Sequence, residues 1–283
     1  MTLPRFRDRG LPVLFYLATC LTTTGAGAAL SGHDPFGSVA AFLTGLPFSL
    51  SLMGILTAHE AGHYYLARKY GVVTSLPWFI PAPTLIGTFG AIIRLPRFSS
   101  RKIVLFDIAL AGPIAGLIPS LFALAVGIHL SGTLPASAPL ASGLELGDSL
   151  LFKLMTRCFS PDPSGTVTLL LSPVGFAGWV GLLVTSLNLI PAGQLDGGHL
   201  FYALLGKKIF GALKWVIPPL LFLLGYFGWK GWWVWTILLV FMGGTHPSVE
   251  DESEALPLSR KWMGLGVFLL ELVIFVPFPL RVV

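Results

Sequence analysis

Hydrophobic positions in this chain run together rather than alternate with polar ones. Apolar stretches cover about residues 11–30, 38–66, 103–130, 168–190, 209–228, 231–244 and 262–280. A hydrocarbon core of about 30 Å needs about 20 helical residues to cross it, so these runs predict membrane-spanning helices. The run at 231–244 is short, and Gly225, Gly228 and Gly231 interrupt its junction with the run before it, which leaves six or seven spans. Residues 71–100 (GVVTSLPWFIPAPTLIGTFGAIIRLPRFSS) are also apolar, but four prolines prevent a single helix. The pieces PWFIPAP and GTFGAIIRL read as extended. Non-helical backbone is tolerated at membrane depth only where protein or a watery cavity surrounds it. The expected fold is therefore all-α and polytopic, with six to seven transmembrane helices and a small re-entrant β element. Residues 1–283 are expected to form a single transmembrane domain with no separate soluble one.

Composition agrees with the pattern. Hydrophobic residues make up 54% of the chain and charged residues only 11%, against about 25% charged in soluble domains. The net charge of +5 sits in short connections, where Lys and Arg mark the inner side of the membrane. Arg5, Arg7 and Arg9 place the N-terminus inside, and Arg68, Lys69, Arg94, Arg97, Arg101 and Lys102 place the second connection there too. Residues 131–166 fall outside with only Lys153 and Arg157; Lys207 and Lys208 return inside. With seven spans the connection 245–261 is also inside, and its acidic segment Val249–Glu254 reads as a solvated link. No basic run carries interleaved aromatics, so nucleic acid is not an expected partner. Cys20 and Cys158 lie far apart with no metal-site or disulfide spacing. The run after MTLPRFRDRG exceeds the usual signal-peptide core of about 7–15 residues, so it is expected to be an uncleaved first span.

Against this background the stretch AHEAGHYY, residues 58–65, is expensive. A charged side chain at the bilayer centre costs about 2.5–3.5 kcal/mol on translocon scales. H-E-x-x-H on a helix places two imidazoles one turn apart on one face, where both can reach one Zn²⁺ with the glutamate beside its water. The alternative is a proton relay satisfied by polar neighbours in a bundle. A catalytic zinc usually takes three protein ligands. Asp107, Asp196 and Glu271 are the acidic residues left in apolar context. Asp107 is expected to cap a helix or to pair with Arg101 or Lys102, and Glu271 to pair in the bundle or face water. Asp196 stands out in SLNLIPAGQLDGGHLF, residues 186–201, where Pro191 and Gly193 break the helix and Gly197 and Gly198 follow the carboxylate. Asn188 offers a donor and an acceptor nearby. His199 is open to a ligand, substrate-side or structural role. By the charge bias, both motifs lie near the inner ends of their spans.

The paired motifs HEAGH at 59–63 and NLIPAGQLDGG at 188–198 resemble the site-2 proteases, which are intramembrane zinc metalloproteases. GTFGAIIRLP at 87–96 and ALAGPIAGL at 109–117 are similar to segments of a branch with chloroplast and bacterial members. The resemblance covers about residues 48–206. It implies one zinc held by His59, His63 and Asp196, a water activated by Glu60, and an oxyanion assisted by Asn188. It also implies a single-span membrane protein as substrate and a multi-pass location in a bacterial inner membrane, where the charge bias puts the N-terminus and site toward the cytoplasm. Residues 131–166 are too short for the PDZ domain that many bacterial relatives insert there. An ion- or proton-coupled transporter using the same polar residues, and an inactive scaffold of the same fold, are the alternatives. Substrate identity and oligomeric state are not legible.

Overall fold

The structure is a computed structural model and describes residues 10–93, 101–135, 144–160, 167–241, 249 and 254–282. In chain order the elements are α1 (Gly10–Leu30), α2 (Val39–Leu43), α3 (Leu46–Lys69), β1 (Trp78–Pro81), β2 (Thr88–Ile92), α4 (Lys102–His129), β3 (Gly132–Pro135) and β4 (Leu144–Leu146). There follow α5 (Leu150–Phe159), β5 (Val167–Leu170), α6 (Pro173–Leu189), α7 (Asp196–Phe227), α8 (Gly231–Phe241), α9 (Leu258–Ile274) and β6 (Leu280–Val282). Among the described residues α1, α4 and α7 are long and apolar enough to cross a membrane, while α6 and α8 are apolar but shorter. The fold is thus mostly helical with small two-stranded sheets.

The chain divides into two compact units. The first comprises residues 1–96, 114–132 and 169–181. In it α1 and α3 approach closely through small residues: a side chain on Gly45 would run into the Thr24 carbonyl. Thr23 and Ser49 share a buried hydrogen bond of 2.7 Å across the same contact. Small residues and hydroxyl pairs of this kind hold helices together where the surroundings are themselves apolar. Similarly, Gly127 on α4 meets Gly175 on α6 backbone to backbone.

The expected β element is an antiparallel hairpin, with Trp78 opposite Ile92, Phe79 opposite Ala91 and Pro81 opposite Thr88. Its turn requires Gly87 at φ +79°, where L side chains are strained. The Thr22 hydroxyl of α1 donates to the Gly87 carbonyl at 2.7 Å. Phe15 and Tyr16 of α1 meet Trp78 and Phe79 edge to face, so β1 is the covered strand. On β2, Phe89 and Ile92 are exposed. Residues 94–100, which the β-prone stretch also included, lie outside the described residues.

The second unit comprises residues 97–113, 133–168 and 182–283. Phe106, Leu189, Leu200, Val267 and Ile274 build one buried cluster; Leu187, Ile190, Leu221, Trp232 and Leu239 build another. The Arg260 guanidinium of α9 donates to both oxygens of Asp107 on α4, at 3.0 and 2.9 Å. Asp107 is expected to cap or to pair with neighbouring Arg101 or Lys102, and the structure gives it a partner from much later in the chain. Arg101 and the Lys102 backbone N–H donate to Glu254. The acidic end of the 249–254 segment therefore caps α4 rather than standing free in solvent, with residues 250–253 outside the described residues.

Three boundaries differ from the apolar pattern. The run 38–66 is broken at Thr44–Gly45 into α2 and α3, and 167–170 is strand rather than helix. α7 begins at Asp196, well before the run at 209, and changes direction at Gly206 (φ 76°, ψ 169°).

Candidate active site

α3 carries the first motif on an uninterrupted helix. Residues four apart lie on one face, and the His59 and His63 rings sit 4.9 Å apart between centroids, inclined at 72°. Their Nε2 atoms are 3.2 Å from each other. Two imidazoles bound to one tetrahedral zinc at about 2.0–2.1 Å would hold their nitrogens about 3.3 Å apart. The separation of the pair is therefore that of shared coordination, and equally that of a shared proton. His59, Glu60 and His63 are 4%, 7% and 7% exposed, so none of them faces lipid. Glu60 follows His59 on the helix and projects about 100° around the axis from it.

Gly116 on α4 is a part of this site that spacing did not single out. A Cβ there would stand 3.0 Å from the His59 Cβ and 3.2 Å from its Nδ1. Glycine lets α4 pass directly over the imidazole and limits how the ring can turn. The only sequence signal is the small-residue run AGPIAG at 111–116, which belongs to the ALAGPIAGL resemblance.

In the second unit, α6 ends at Leu189, one residue after the half-buried Asn188. The next six residues turn sharply: Ala192 N–H donates to the Ile190 carbonyl at 2.8 Å, and Gly193 takes φ +57°. Leu195 is extended and Asp196 opens α7. A carboxylate in a first helical turn lies beside unpaired backbone N–H groups and the positive end of the helix dipole, which favour its anion. The glycines after it are steric necessities. A Cβ on Gly197 would run into the Leu189 carbonyl, and one on Gly198 would stand 2.6 Å from the Gly193 carbonyl. LDGG thus lets the first turn of α7 lie on the end of α6. His199, in the same turn, donates its backbone N–H to the Leu195 carbonyl at 3.0 Å. Ser186, one turn back on α6, donates to Glu271 of α9 at 2.9 Å, so Glu271 pairs within its bundle.

Residues 47–214 match peptidase family M50. The probable chloroplastic zinc metalloprotease EGY2 of Arabidopsis thaliana is 30% identical over 241 residues, covering 83% of this chain and 42% of that protein. The probable chloroplastic zinc metalloprotease EGY1 of the same plant is 32% identical over 235 residues, covering 80% and 42%. This chain therefore spans well under half the length of these curated relatives. Among solved structures, the site-2 protease from Methanocaldococcus jannaschii is 18% identical, with a TM-score of 0.41, covering 86% of this chain and 90% of that one. The family match takes in more than half the chain, including HEAGH and LDGG together, and the chain belongs to peptidase family M50.

Proposed function

We propose that this chain is the catalytic domain, spanning residues 1–283, of an intramembrane zinc metalloprotease that hydrolyses peptide bonds within or beside the transmembrane helix of single-span membrane proteins. The observation that carries the reading is the buried His59–His63 pair, with Nε2 atoms 3.2 Å apart, next to Glu60 in a family of peptidases. His59 and His63 hold the zinc through Nε2, and Asp196 supplies the third ligand. A carboxylate completes the charge and donor set that two neutral imidazoles leave open. Bound zinc lowers the pKa of a water and polarises a carbonyl oxygen. The Glu60 carboxylate takes the proton of the attacking water and returns it to the leaving amine nitrogen. The Asn188 amide donates to the developing oxyanion, a contact worth about 2.7–4 kcal/mol where such donors have been removed.

A transmembrane helix has every backbone group paired, so its scissile segment must unwind first. β2, on which Phe89 and Ile92 are exposed, receives that segment as an added strand. The apolar runs support six to seven spans, and the basic connections support an N-terminus and site toward the inside. The named relatives are chloroplast proteins, so they lend no support to a bacterial inner membrane. The test is cleavage of candidate single-span substrates in vesicles by wild type and Glu60→Gln. Cleavage by wild type alone supports the reading, and equal products from both overturn it. Substitution of Gly87–Gly90 tests the strand step: unchanged substrate crosslinking and cleavage would remove it.

A further inference from the structure

α5, in the second unit, has 10 residues and a length of about 15 Å, too short to cross a bilayer. Its inner face is occupied. Phe152 is buried, Leu151 packs against the cluster containing Phe106, Leu200 and Ile274, and Ser149 caps the first turn by accepting from the Phe152 N–H at 3.0 Å. The outer face is apolar as well. Leu150 and Leu154 are 65% and 56% exposed, and Cys158 continues the same line at helical spacing, also exposed. Lys153 and Arg157 follow one edge of that line and are exposed too. The Lys153 ammonium is 3.7 Å from Asp148, with both side chains about half in solvent, a pairing too weak to neutralise it.

The surroundings of α5 set its level in the membrane. β4, just before it, pairs antiparallel with β6, just after α9, and the Gly147 N–H donates to the Pro279 carbonyl at 2.8 Å. α5 therefore starts at the C-terminal end of α9, away from Arg260 and Lys261. Aromatic residues gather at this same end. The Trp232 indole donates to the Pro277 carbonyl at 2.6 Å, and its ring stacks on Phe275 and meets Trp229 edge to face. In the adjoining turn between α7 and α8, Tyr226 and Phe227 are exposed beside Lys230. Trp232 is buried and packs this end together, whereas an exposed Tyr226 with Lys230 nearby is the combination that marks the boundary between membrane and water.

We infer that α5 is an interfacial helix, with Leu150, Leu154 and Cys158 set at the acyl–headgroup boundary and Lys153 and Arg157 on the phosphates of anionic lipids. An apolar stripe flanked by cations is the pattern of helices that lie in this plane, and the basic edge selects a negatively charged surface over an uncharged apolar partner. The inference does not depend on the catalytic reading.

The test uses the full chain carrying Cys20→Ser, with an environment-sensitive fluorophore on Cys158. It is reconstituted in phosphatidylcholine vesicles with and without phosphatidylglycerol. The expected result is blue-shifted emission, quenched several-fold more by doxyl-labelled lipid than by aqueous iodide. A label at Leu154→Cys, with Cys158→Ser, is expected to behave alike. Lys153→Glu with Arg157→Glu is expected to reduce lipid quenching when phosphatidylglycerol is present and to leave it unchanged when it is absent. Dominant iodide quenching at both positions overturns the inference. Shielding lost on dilution into excess lipid also overturns it, because a second copy of the chain would then be covering the face. An equal response of the charge variant in both vesicles overturns the phosphate contact.

Discussion

α3 and the break between α6 and α7 present the same kind of residue by opposite means. On α3, helical periodicity alone brings His59 and His63 to 3.2 Å. Any sequence that keeps the helix keeps the two side chains on one face, and between them only Glu60 carries a proposed role. At the break, Asp196 is aimed by backbone that no regular element dictates. Gly193 sits at φ +57°, and Gly197 lies where any side chain meets the Leu189 carbonyl. For the proposed ligands, the helical pair is therefore tolerant of substitution at Ala61 and the carboxylate at the break is brittle. A buried pair can be specified by spacing, whereas a single aimed carboxylate needs a path cleared for it.

The largest effect expected is chemical. Glu60→Gln should lower single-turnover cleavage by about 10²–10⁴-fold or more, with melting temperature unchanged. Next comes the contrast itself. Gly197→Ala should destabilise the protein by about 1–3 kcal/mol or more through overpacking, read by thermal unfolding in detergent. Ala61→Ser, between the two histidines and exposed, should stay within about 0.5 kcal/mol of wild type. Comparable losses in the two variants would break the contrast. Arg260→Ala removes the two hydrogen bonds to Asp107, whose side chain is only 9% exposed. The expected cost is about 1–3 kcal/mol, with faster amide exchange at the start of α9 as its local sign. A last variant sharpens the helical side. Gly116→Ala, with its Cβ 3.0 Å from that of His59, should leave stability nearly unchanged. It should weaken zinc binding by about tenfold, as changes behind a ligand do, measured by competition with a chelator.

Much of this was legible because hydrophobic length and helical spacing are local properties. The apolar runs at 11–30 and 103–130 correspond to α1 and α4 within a residue or so. The prolines of residues 71–100 announced a break in helix, and a hairpin is found there. HExxH was readable because the helix around it was. What escaped is what depends on distant or backbone partners. Lys207 and Lys208 end the apolar pattern, so the helical piece from Asp196 to Leu205, which meets the rest of α7 at the kink at Gly206, did not show as part of a long element. Arg260, which pairs with Asp107, lies 153 residues away from it, and no local rule points to it. Gly116 looked like ordinary small-residue packing, and its position over His59 emerges only once α3 and the later part of α4 are placed.

The most direct measurement of the central claim is zinc content per chain. It would be determined on purified, monodisperse wild type, Glu60→Gln, His59→Ala, His63→Ala and Asp196→Ala. The account predicts about one zinc in wild type and in Glu60→Gln, and little or none in the three ligand variants. Wild type without zinc, or Asp196→Ala holding as much zinc as wild type, would contradict it.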